Sequence, residues 1–346
     1  PLNPSYASIN GFKVDKVTNK LLINQARSKG NDLAVEYLEK TSRLNAVNTY
    51  LNSFVAGIKT WVREDGILHA NFNQTVARTG RLSSSNPNFQ NIPKSQKFPV
   101  RACIVSRFGN SHQIMEADFS GLEFRVAGEL SRDPQIIDDI MSGKDVHKQT
   151  AMIINQCEES EVTKDMRQAG KAYTFAPLYG GLGMSEPEHV QEYFKTYFTI
   201  YAGLKDWHRQ LMDGVLKDGI VRTPSGREFL FPNAKRLGNG RITNATAVVN
   251  YPVQSFATGD CVPIACIRAL KYFREHNLKS KLILTVHDSI VVDLLSEEKD
   301  KVVAGLQWAM EGVKDDLQRR FNYTPSLPLD IEIEAGKNWM EMQEIV

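Results

Sequence analysis

The sequence is poor in cysteine, in long apolar runs and in net charge. Its four cysteines are Cys103, Cys157, Cys261 and Cys266, and they form no Cys-x-x-Cys pair and have no histidine at zinc-ligand spacing. This pattern argues against a zinc site and a disulfide framework, and it favours a reducing compartment. No run approaches the roughly 18 apolar residues that a membrane helix needs, and no signal segment opens the chain, so we expect a soluble protein.

The remaining composition is that of a globular protein. With 346 residues, of which 42% are hydrophobic and 24% charged, the chain is long enough for two or three packed subdomains. Its net charge of +2 does not by itself indicate a nucleic-acid partner, because that affinity depends on where Lys and Arg cluster. The chain begins at Pro1 without a methionine, which suggests a processed product or an excised fragment. Composition alone leaves the function open.

Residues 31 to 60 have the apolar periodicity of a helix. The apolar positions recur at steps of three and four and comprise Leu44, Val47, Leu51, Phe54 and Ile58. Such a stripe is typical of a helix that packs on a core. Turn signals at Glu64–Gly66 and Pro224–Gly226 each lie between β-prone runs, so we predict a hairpin at both places.

The C-terminal part combines strands with one long helix. Apolar runs predict strands at 281–286, 289–294 and 329–334, and helical periodicity predicts a helix over about 298–321. The inward face of this helix comprises Val302, Leu306, Met310, Val313 and Leu317. Antiparallel strands backed by helices, with a long helical insertion before them, are the α+β pattern.

Two aspartates lie where predicted strands end. Residues 113–117 form a short apolar strand that runs into Asp118, and the chain then continues as a helix. Asp288 lies between two apolar strands, at the tip of the hairpin 287–289. Carboxylates that rigid strands hold close together can bind a pair of hard cations about 3.5–4 Å apart, as in-line phosphoryl chemistry requires. The alternative is that each aspartate only caps a turn.

A predicted helix between these aspartates carries cations and aromatic rings on one face. Arg167, Lys171, Phe175 and Tyr179 are spaced four residues apart, so they share one broad face of a helix. Two cations followed by two aromatics match a nucleoside triphosphate, but a solvated basic stripe followed by core aromatics fits as well. Pro177 removes a backbone donor, so we expect the helix to kink or end nearby.

These residues resemble the motifs of family A DNA polymerases. The matching segments are Thr79–Ser85 with Pro87–Pro93, Asp118–Arg125 (motif A), Lys144–His147, Arg167–Gly180 (motif B), Asn250–Gln254 and Val286–Asp288 (motif C). They occur in the family's order across roughly residues 44 to 346, which makes coincidence negligible. The sequence departs from the family's usual residues at Gly121, Ala176-Pro177, Thr246 and Ser289.

The resemblance implies a right-hand polymerase fold of the α+β class, with an antiparallel palm sheet, helical fingers and a partial helical thumb. We expect the partial thumb at 1–60, the palm at 61–130 and 247–346, and the fingers at 131–246. The family's upstream 3′–5′ exonuclease domain is not part of this sequence. Two acidic pairs, Asp138-Asp139 and Asp315-Asp316, are interpreted as solvated helix faces rather than as nuclease carboxylates.

The resemblance also implies the metal and nucleotide contacts. Asp118, Asp288 and the backbone carbonyl of Phe119 would bind two Mg²⁺ ions, for which Mn²⁺ can substitute. Asp118, Asp288 and Lys171 would be the catalytic residues, with Lys171 a candidate proton donor to the leaving group. The residues implied to contact the dNTP are Arg167, Lys171 and His147 at the phosphates, Phe175 and Tyr179 at the sugar and base, and Glu123. In the family's arrangement Glu123 would hydrogen-bond Tyr179 and crowd the place of a 2′-hydroxyl.

The implied function is template-directed DNA synthesis. The implied partners are primer-template DNA, contacted by Arg81, Asn250, Gln254 and His287, and dNTPs. We expect a monomer with no membrane partner, located in the cytoplasm of a bacterial or phage-infected cell or in an organelle. One rival is a single-subunit phage-type RNA polymerase, whose motif C also reads His-Asp-Ser, although Glu123 argues against it. The other rival is a catalytically silent DNA-binding scaffold.

Overall fold

The computed structural model describes residues 7–8, 11–12, 16–183, 188–238 and 240–346. The chain forms two compact units. The first unit comprises Pro1–Asn71 and Asn86–Arg101, and the second comprises Phe72–Ser85 and Ala102–Val346. Within the described ranges, no helix combines the length and the apolar character needed to cross a membrane.

The first unit is mainly helical. Its elements are β1 (Ala7–Ser8), β2 (Gly11–Phe12), α1 (Lys16–Ser28), α2 (Asp32–Thr49), a π-helix (Tyr50–Ala56) and α3 (Gly57–Trp61). The predicted helix over 31–60 is confirmed, and the Asn31 side chain caps it by accepting a hydrogen bond from the amide of Ala34. The prediction that its apolar stripe packs in a core is wrong, because Leu44 is 58% exposed and Leu51 51%. Periodicity identifies the residues that share a face, but not whether another element covers that face.

The two predicted hairpins differ in outcome. At Glu64–Gly66 the chain turns, but a single bridge between Val62 and Leu68 takes the place of paired strands. The second hairpin is confirmed, since strands pair on either side of Pro224–Gly226.

The second unit holds a sheet and most of the helices. In chain order its elements are β3 (Asn71–Asn73, which begins at the unit boundary), β4 (Ser83–Ser85), β5 (Gln113–Phe119), α4 (Leu122–Ser131), α5 (Pro134–Met141), α6 (Val146–Asn155), α7 (Lys164–Leu178), α8 (Glu188–Ile200), α9 (Ala202–Asp218), β6 (Ile220–Arg222), β7 (Glu228–Leu230), α10 (Ala245–Gln254), a π-helix (Ser255–Cys261), α11 (Val262–Glu275), β8 (Lys281–Val286), β9 (Ser289–Leu294), α12 (Lys299–Glu311), α13 (Val313–Phe321), β10 (Ile331–Gly336) and β11 (Met342–Glu344).

A five-stranded sheet organises this unit, with strand order β11-β10-β5-β9-β8. All four strand pairings are antiparallel, which confirms the predicted α+β class. β5 lies in the middle, so Asp118 at its end pairs with Ser289 on one side and with Glu332 on the other. The middle strand of a sheet is the least able to move, and it therefore gives Asp118 a rigid support.

The long C-terminal helix packs as predicted but has a break. The five residues of its inward face are fully buried. Gly312 separates α12 from α13, and a Cβ there would collide with Nη2 of Arg268. The Arg268 guanidinium uses this space to donate to the carbonyls of Trp308 and Ala309, at 2.9 and 3.0 Å. Because these carbonyls end α12, the arginine caps the helix.

One member of each acidic pair is buried, so the interpretation of both pairs as solvated faces is wrong for those members. Asp139 is 1% exposed and accepts hydrogen bonds from Tyr201 at 2.7 Å and from Lys144 at 3.0 Å. Asp316 is 4% exposed and accepts from Arg268 at 2.7 Å. A buried carboxylate is stable only with such partners. Tyr201 and Arg268 lie 62 and 48 residues away from the aspartates that they contact, so helical spacing could not reveal them.

Candidate active site

Two neighbouring strands bring Asp118 and Asp288 together. Asp118 is near the end of β5, and Asp288 lies in the turn between β8 and β9. Since β5 and β9 are antiparallel neighbours, the end of β5 lies beside this turn. The amide of Phe119 donates to the carbonyl of Asp288 at 3.4 Å. His287 has a φ of 56°, which lets the chain reverse within two residues.

The environment of the two carboxyl groups disfavours their ionised forms. Both face a cleft, but protein surrounds them on the other sides, and this desolvation is the main cause that raises the pKa of each. For Asp118 the negative charges of Asp288 and Glu116 raise the pKa further, whereas the Lys171 ammonium lowers it. A hydrogen bond also joins the two carboxyl groups. Two carboxylates in this setting are destabilised unless a proton or a cation lies between them.

The donor set therefore fits divalent cations. Carboxylate and carbonyl oxygens are the ligands that Mg²⁺ prefers, and Phe119 lines the same cavity as the two aspartates. Among the described residues no group of three or more His, Cys, Asp or Glu side chains has metal-binding geometry. The site thus consists of a carboxylate pair with a backbone carbonyl beside it, and this composition leaves ligand positions for water and substrate phosphates.

A cavity of about 610 Å³ contains most of the predicted site residues. Ten of them line it, namely Arg81, Asp118, Phe119, Glu123, His147, Arg167, Lys171, Phe175, His287 and Asp288. Three others lie elsewhere. Tyr179 follows the end of α7, Asn250 lines a separate cavity of about 520 Å³, and Gln254 ends α10. The cavity therefore brings together ten of the thirteen predicted site residues, and the contacts expected of the other three stay predictions.

Helix α7 presents its two cations to this cavity. Thr163 caps its first turn by accepting from the amide of Met166 at 3.2 Å. The helix ends at Leu178, directly after Pro177, which confirms the expected effect of the proline. Arg167 and Lys171 both line the cavity and have exposed side chains, so both cations are accessible to an anion.

Asp145 holds Arg167 in place. Its Oδ2 accepts from Nε of Arg167 at 2.6 Å, while its Oδ1 caps α6 by accepting from the amide of Lys148 at 3.0 Å. The ion pair keeps the pKa of Asp145 below its usual value, against the effect of desolvation. Sequence reasoning did not identify Asp145 as part of the site. An aspartate directly before a helix is nevertheless an N-cap signal that could have drawn attention to it.

Phe175, near the end of α7, and Tyr179, directly after it, form an aromatic stack at the other end of this face. The rings of Phe175 and Tyr179 are nearly parallel, with centroids 6.2 Å apart. The centroid of the His147 ring lies 5.3 Å from that of Phe175. A planar base or sugar edge can pack against such rings, so the order of cations and then rings along the helix matches the order of phosphates and nucleoside in a nucleotide.

Glu123 has a different partner from the one predicted. Its Oε1 accepts a hydrogen bond from Nη2 of Arg81 at 2.7 Å. Glu123 and Tyr179 are both among the described residues, and no hydrogen bond joins them. Desolvation raises the pKa of Glu123, and the positive charge of Arg81 opposes this shift. A charged guanidinium stabilises a half-buried carboxylate more than a phenol does. Arg81 also donates from Nε to Thr258 at 2.7 Å, and Thr258 donates to the carbonyl of Gln254.

Glu116 was also missed. It lies two residues before Asp118 on β5, so both side chains point to the same face of the sheet. Its carboxylate accepts from Oγ of Ser289 at 2.7 Å and from Nε1 of Trp339 at 2.9 Å. Ser289 is 2% exposed, so this buried bond explains the small hydroxyl residue after Asp288. Gly121, the N-cap residue of α4, has a φ of 62°, a conformation that glycine adopts without strain.

Comparison with known proteins agrees with this geometry. A family model described as DNA polymerase family A matches residues 9–341. DNA polymerase I of Lactococcus lactis subsp. cremoris is 30% identical over 345 residues, covering 93% of this chain and 38% of the relative. DNA polymerase I of Mycobacterium tuberculosis is 31% identical over 301 residues, covering 84% of this chain and 32% of the relative.

A solved structure resembles the fold as well. It is described as the POL domain of Pol1 from M. smegmatis in complex with DNA primer-template and dNTP, and it matches with a TM-score of 0.78 and 26% identity. The match covers 99% of this chain and 59% of that one. This chain thus spans less than two thirds of the proteins that it resembles. Because the family model covers nearly the whole sequence, from residue 9 to residue 341, the chain belongs to DNA polymerase family A.

Proposed function

We propose that this chain extends a primer on a DNA template by adding dNTPs to the primer 3′ end. One observation carries the proposal. The Asp118 and Asp288 carboxyl groups share a cavity with Arg167 and Lys171, which α7 presents together with an aromatic stack. One cavity, large enough for a nucleotide, is thus lined both by carboxylates that can bind metal cations and by basic side chains that can bind phosphates.

Asp118, Asp288 and the carbonyl of Phe119 would hold two divalent cations, with Mg²⁺ as the proposed ion. When bound, such ions supply Lewis-acid stabilisation and a more acidic primer 3′-hydroxyl. The fit rests on the mutual repulsion and desolvation that raise the pKa of both aspartates. Cation binding would relieve both effects and leave the pair ionised.

Arg167 and Lys171 would bind the β- and γ-phosphates. Negative charge grows on these oxygens as pyrophosphate leaves, so cations fixed in advance lower the barrier. Asp145 positions the Arg167 guanidinium through its 2.6 Å ion pair. Lys171 lies close enough to both aspartates to lower their pKa. We assign to Lys171 the role of donating the proton that the leaving group takes up.

The opposite part of the cavity would bind the sugar and base. Phe175 and Tyr179 would flank them, and Glu123 would crowd the place of a 2′-hydroxyl. The Arg81 ion pair holds the Glu123 side chain in a fixed position without help from Tyr179. Steric exclusion of ribonucleotides is therefore assigned to Glu123 and Arg81 together.

Primer-template DNA is the proposed second substrate. Arg81 and His287 line the cavity beside the two aspartates, where a primer terminus would have to lie. Asn250 lines the separate cavity of about 520 Å³, together with the cation of Arg241. The M. smegmatis polymerase domain was solved with primer-template and dNTP, and this supports the same pair of substrates here. We further propose that the protein acts as a monomer and inside the cell, where both substrates occur.

We also propose the subdomain assignment predicted from the sequence, with thumb at 1–60, palm at 61–130 and 247–346, and fingers at 131–246. It is supported by the sheet, in which β5 comes from the first palm segment and β8 to β11 from the second. Hydrogen exchange should show dNTP-dependent protection concentrated in 131–246, and protection confined to 1–60 would contradict the assignment.

Primer extension with dNTPs and with rNTPs tests the proposed function directly. We expect Mg²⁺-dependent extension with dNTPs that a chelator abolishes, and much weaker extension with rNTPs. Equal use of rNTPs would favour the phage-type RNA polymerase instead. Binding of primer-template without any extension would favour the catalytically silent scaffold.

A further inference from the structure

A line of hydrogen-bonded side chains runs from helix α8 to the cavity. Tyr193 on α8 contacts Thr150 on α6, with 3.0 Å between the hydroxyl oxygens. Oγ1 of Thr150 lies 2.8 Å from Oγ1 of Thr174 on α7, and this in turn lies 3.1 Å from Nδ1 of His147. His147 lines the cavity with Arg167 and Lys171. The line therefore joins the buried side of α7 to a residue that faces the substrate.

The three hydroxyl groups are shielded from water. Thr150, Thr174 and Tyr193 are 4%, 1% and 3% exposed. The contact between α6 and α7 depends on Gly170, because a Cβ there would lie 2.8 Å from the carbonyl oxygen of His147. Because water cannot reach them, each hydroxyl must donate its hydrogen bond to another member of the line or to a backbone carbonyl, since a buried donor without an acceptor destabilises the fold.

The direction of the hydrogen bonds can be followed from Tyr193. Burial raises its pKa, so it stays a neutral phenol, and Thr150 is its hydrogen-bond partner. Its O–H must therefore donate to Thr150. From there two proton orders satisfy the contacts. In one, Thr150 donates to Thr174, which donates to Nδ1 of His147. In the other, Nδ1 carries the proton and donates to Thr174. Thr174 then donates either to the carbonyl of Gly170, 3.1 Å away, or to Thr150, which in that case donates to the carbonyl of Val146, 2.9 Å away.

The two orders give opposite tautomers of a neutral ring. Burial, and then the charges of Lys171 and Arg167, lower the pKa of His147 to about 4, so the ring carries one proton at neutral pH. The first order places it on Nε2, and the second leaves a lone pair there. Within the described part of the chain Nε2 has no hydrogen-bond partner. An anionic phosphate in the cavity can accept from Nε2–H but is repelled by a lone pair, so a bound triphosphate selects the first order.

We propose that Thr174, oriented by Thr150 and Tyr193, is a positioning residue that holds His147 as the Nε2–H tautomer, ready to donate to a phosphate of the incoming nucleotide. This inference rests on the proposed function, because the phosphate is what selects the tautomer. Thr174 itself does not line the cavity. It acts through the ring of His147.

Nitrogen NMR of the histidine rings tests the tautomer. The chain has seven histidines, and the ring of His147 can be assigned as the one lost in His147→Gln. In a complex with dideoxy-terminated primer-template, dNTP and Mg²⁺, we expect the Nε2–H pattern for wild type and for Thr174→Ser. Thr174→Val, which keeps the shape but removes the hydroxyl, leaves only the phosphate to select the tautomer, so a measurable share of the His147 ring should shift to Nδ1–H. An Nδ1–H pattern in the wild-type complex, or no change in Thr174→Val, overturns the proposal.

Single-turnover incorporation tests whether Thr174 acts through His147. Losing one hydrogen bond should weaken dNTP binding by about 3- to 10-fold in Thr174→Val, with Thr174→Ser close to wild type. The decisive comparison is a double-mutant cycle. In a His147→Ala background, Thr174→Val should cause no further loss, whereas an equal loss there would show a structural role and overturn the proposal.

The same measurements separate failure of this inference from failure of the proposed function. If the wild-type chain incorporates no dNTP, the proposed function is wrong, and this inference falls with it. If wild type incorporates dNTPs normally while Thr174→Val keeps both its affinity and its His147 tautomer, only the inference is wrong.

Discussion

Arg81 and Glu123 meet in a 2.7 Å ion pair at the wall of the cavity that holds the two aspartates. The pair joins the segment before β4 to the first turn of α4. Their side chains are 28% and 14% exposed, so the pair is partly desolvated and holds its geometry better than a surface pair would. Glu123 therefore presents a fixed carboxylate to whatever binds in the cavity.

Glu123 should control the choice between dNTPs and rNTPs. We expect Glu123→Ala to raise the efficiency of rNTPs relative to dNTPs by at least about tenfold, because the bulk beside the sugar is removed. Glu123→Gln is the matched control, since it keeps the bulk and loses the charge, and it should retain most of the discrimination. The measurement is the ratio of single-nucleotide incorporation efficiencies. An unchanged ratio in Glu123→Ala would contradict the steric role.

Asp118 and Asp288 should be essential for extension but not for folding. Asp118→Asn and Asp288→Asn each remove one ligand charge while keeping the shape, so extension should fall by more than about a thousandfold. Binding of primer-template should change little. Because each change also removes repulsion within the pair, the melting temperature should hold or rise. Extension at more than a trace by either variant would rule out the carboxylate pair as the metal site.

Asp145 should tune nucleotide affinity through Arg167. Asp145→Asn keeps a good N-cap for α6 but loses the charged partner of the guanidinium. We expect dNTP binding to weaken by about 3- to 10-fold, since a less ordered arginine must be immobilised on binding. Thermal stability should stay within about 0.5 kcal/mol of wild type. Tighter dNTP binding in this variant would show that the ion pair competes with the phosphates, contrary to the positioning role.

Phe175 should discriminate against dideoxynucleotides. Its ring centroid lies 5.3 Å from that of His147 and 6.2 Å from that of Tyr179, and the ring offers no hydrogen bond. A dNTP supplies a 3′-hydroxyl to the site, and a dideoxynucleotide lacks it. In Phe175→Tyr the added hydroxyl can replace that group, and a hydrogen bond to a charged phosphate is worth about 1.5–3 kcal/mol, or about one to two decades in relative efficiency.

Competition between ddNTP and dNTP in single-nucleotide incorporation measures this effect. Phe175→Leu is the control, because it removes the ring without adding a hydroxyl and should lower both efficiencies without favouring the dideoxynucleotide. If Phe175→Tyr leaves the ratio where it is in wild type, Phe175 does not face the sugar.

His208 should make the fold sensitive to acid. It is 5% exposed, and burial lowers its pKa to about 4 from 6.5, although a hydrogen bond with the backbone of Leu178 opposes this shift. The unfolded chain takes up a proton near pH 6.5, whereas the folded chain resists it until about pH 4. The contribution to stability is therefore complete above pH 6.5 and is lost as the pH falls toward 4, by about 3 kcal/mol at most.

Denaturant unfolding of wild type and His208→Gln between pH 4 and pH 7.5 checks this. The variant cannot be protonated, so its free energy of unfolding should fall less steeply below pH 6.5. Parallel curves would show that His208 is not the group responsible.

The local pattern of the sequence was enough to predict the strand that carries Asp118 and the hairpin whose turn holds Asp288. Each aspartate follows an apolar run with a turn or helix signal after it, and these are short-range features. The common face of Arg167, Lys171 and Phe175 follows likewise from the four-residue spacing of a helix. The resemblance to a known family then indicated that these separate segments belong to one site.

Only the tertiary structure decided which side chains are buried and which groups pair. Leu44 looked like a core residue but is exposed, while Asp139 looked solvated but is buried among Lys144 and Tyr201. Glu123 pairs with Arg81, 42 residues away. Periodicity describes one element at a time, whereas burial and ion pairs depend on which elements pack together. The hydroxyl line to His147 is the clearest case, because it needs three helices to meet at distances that no local pattern encodes.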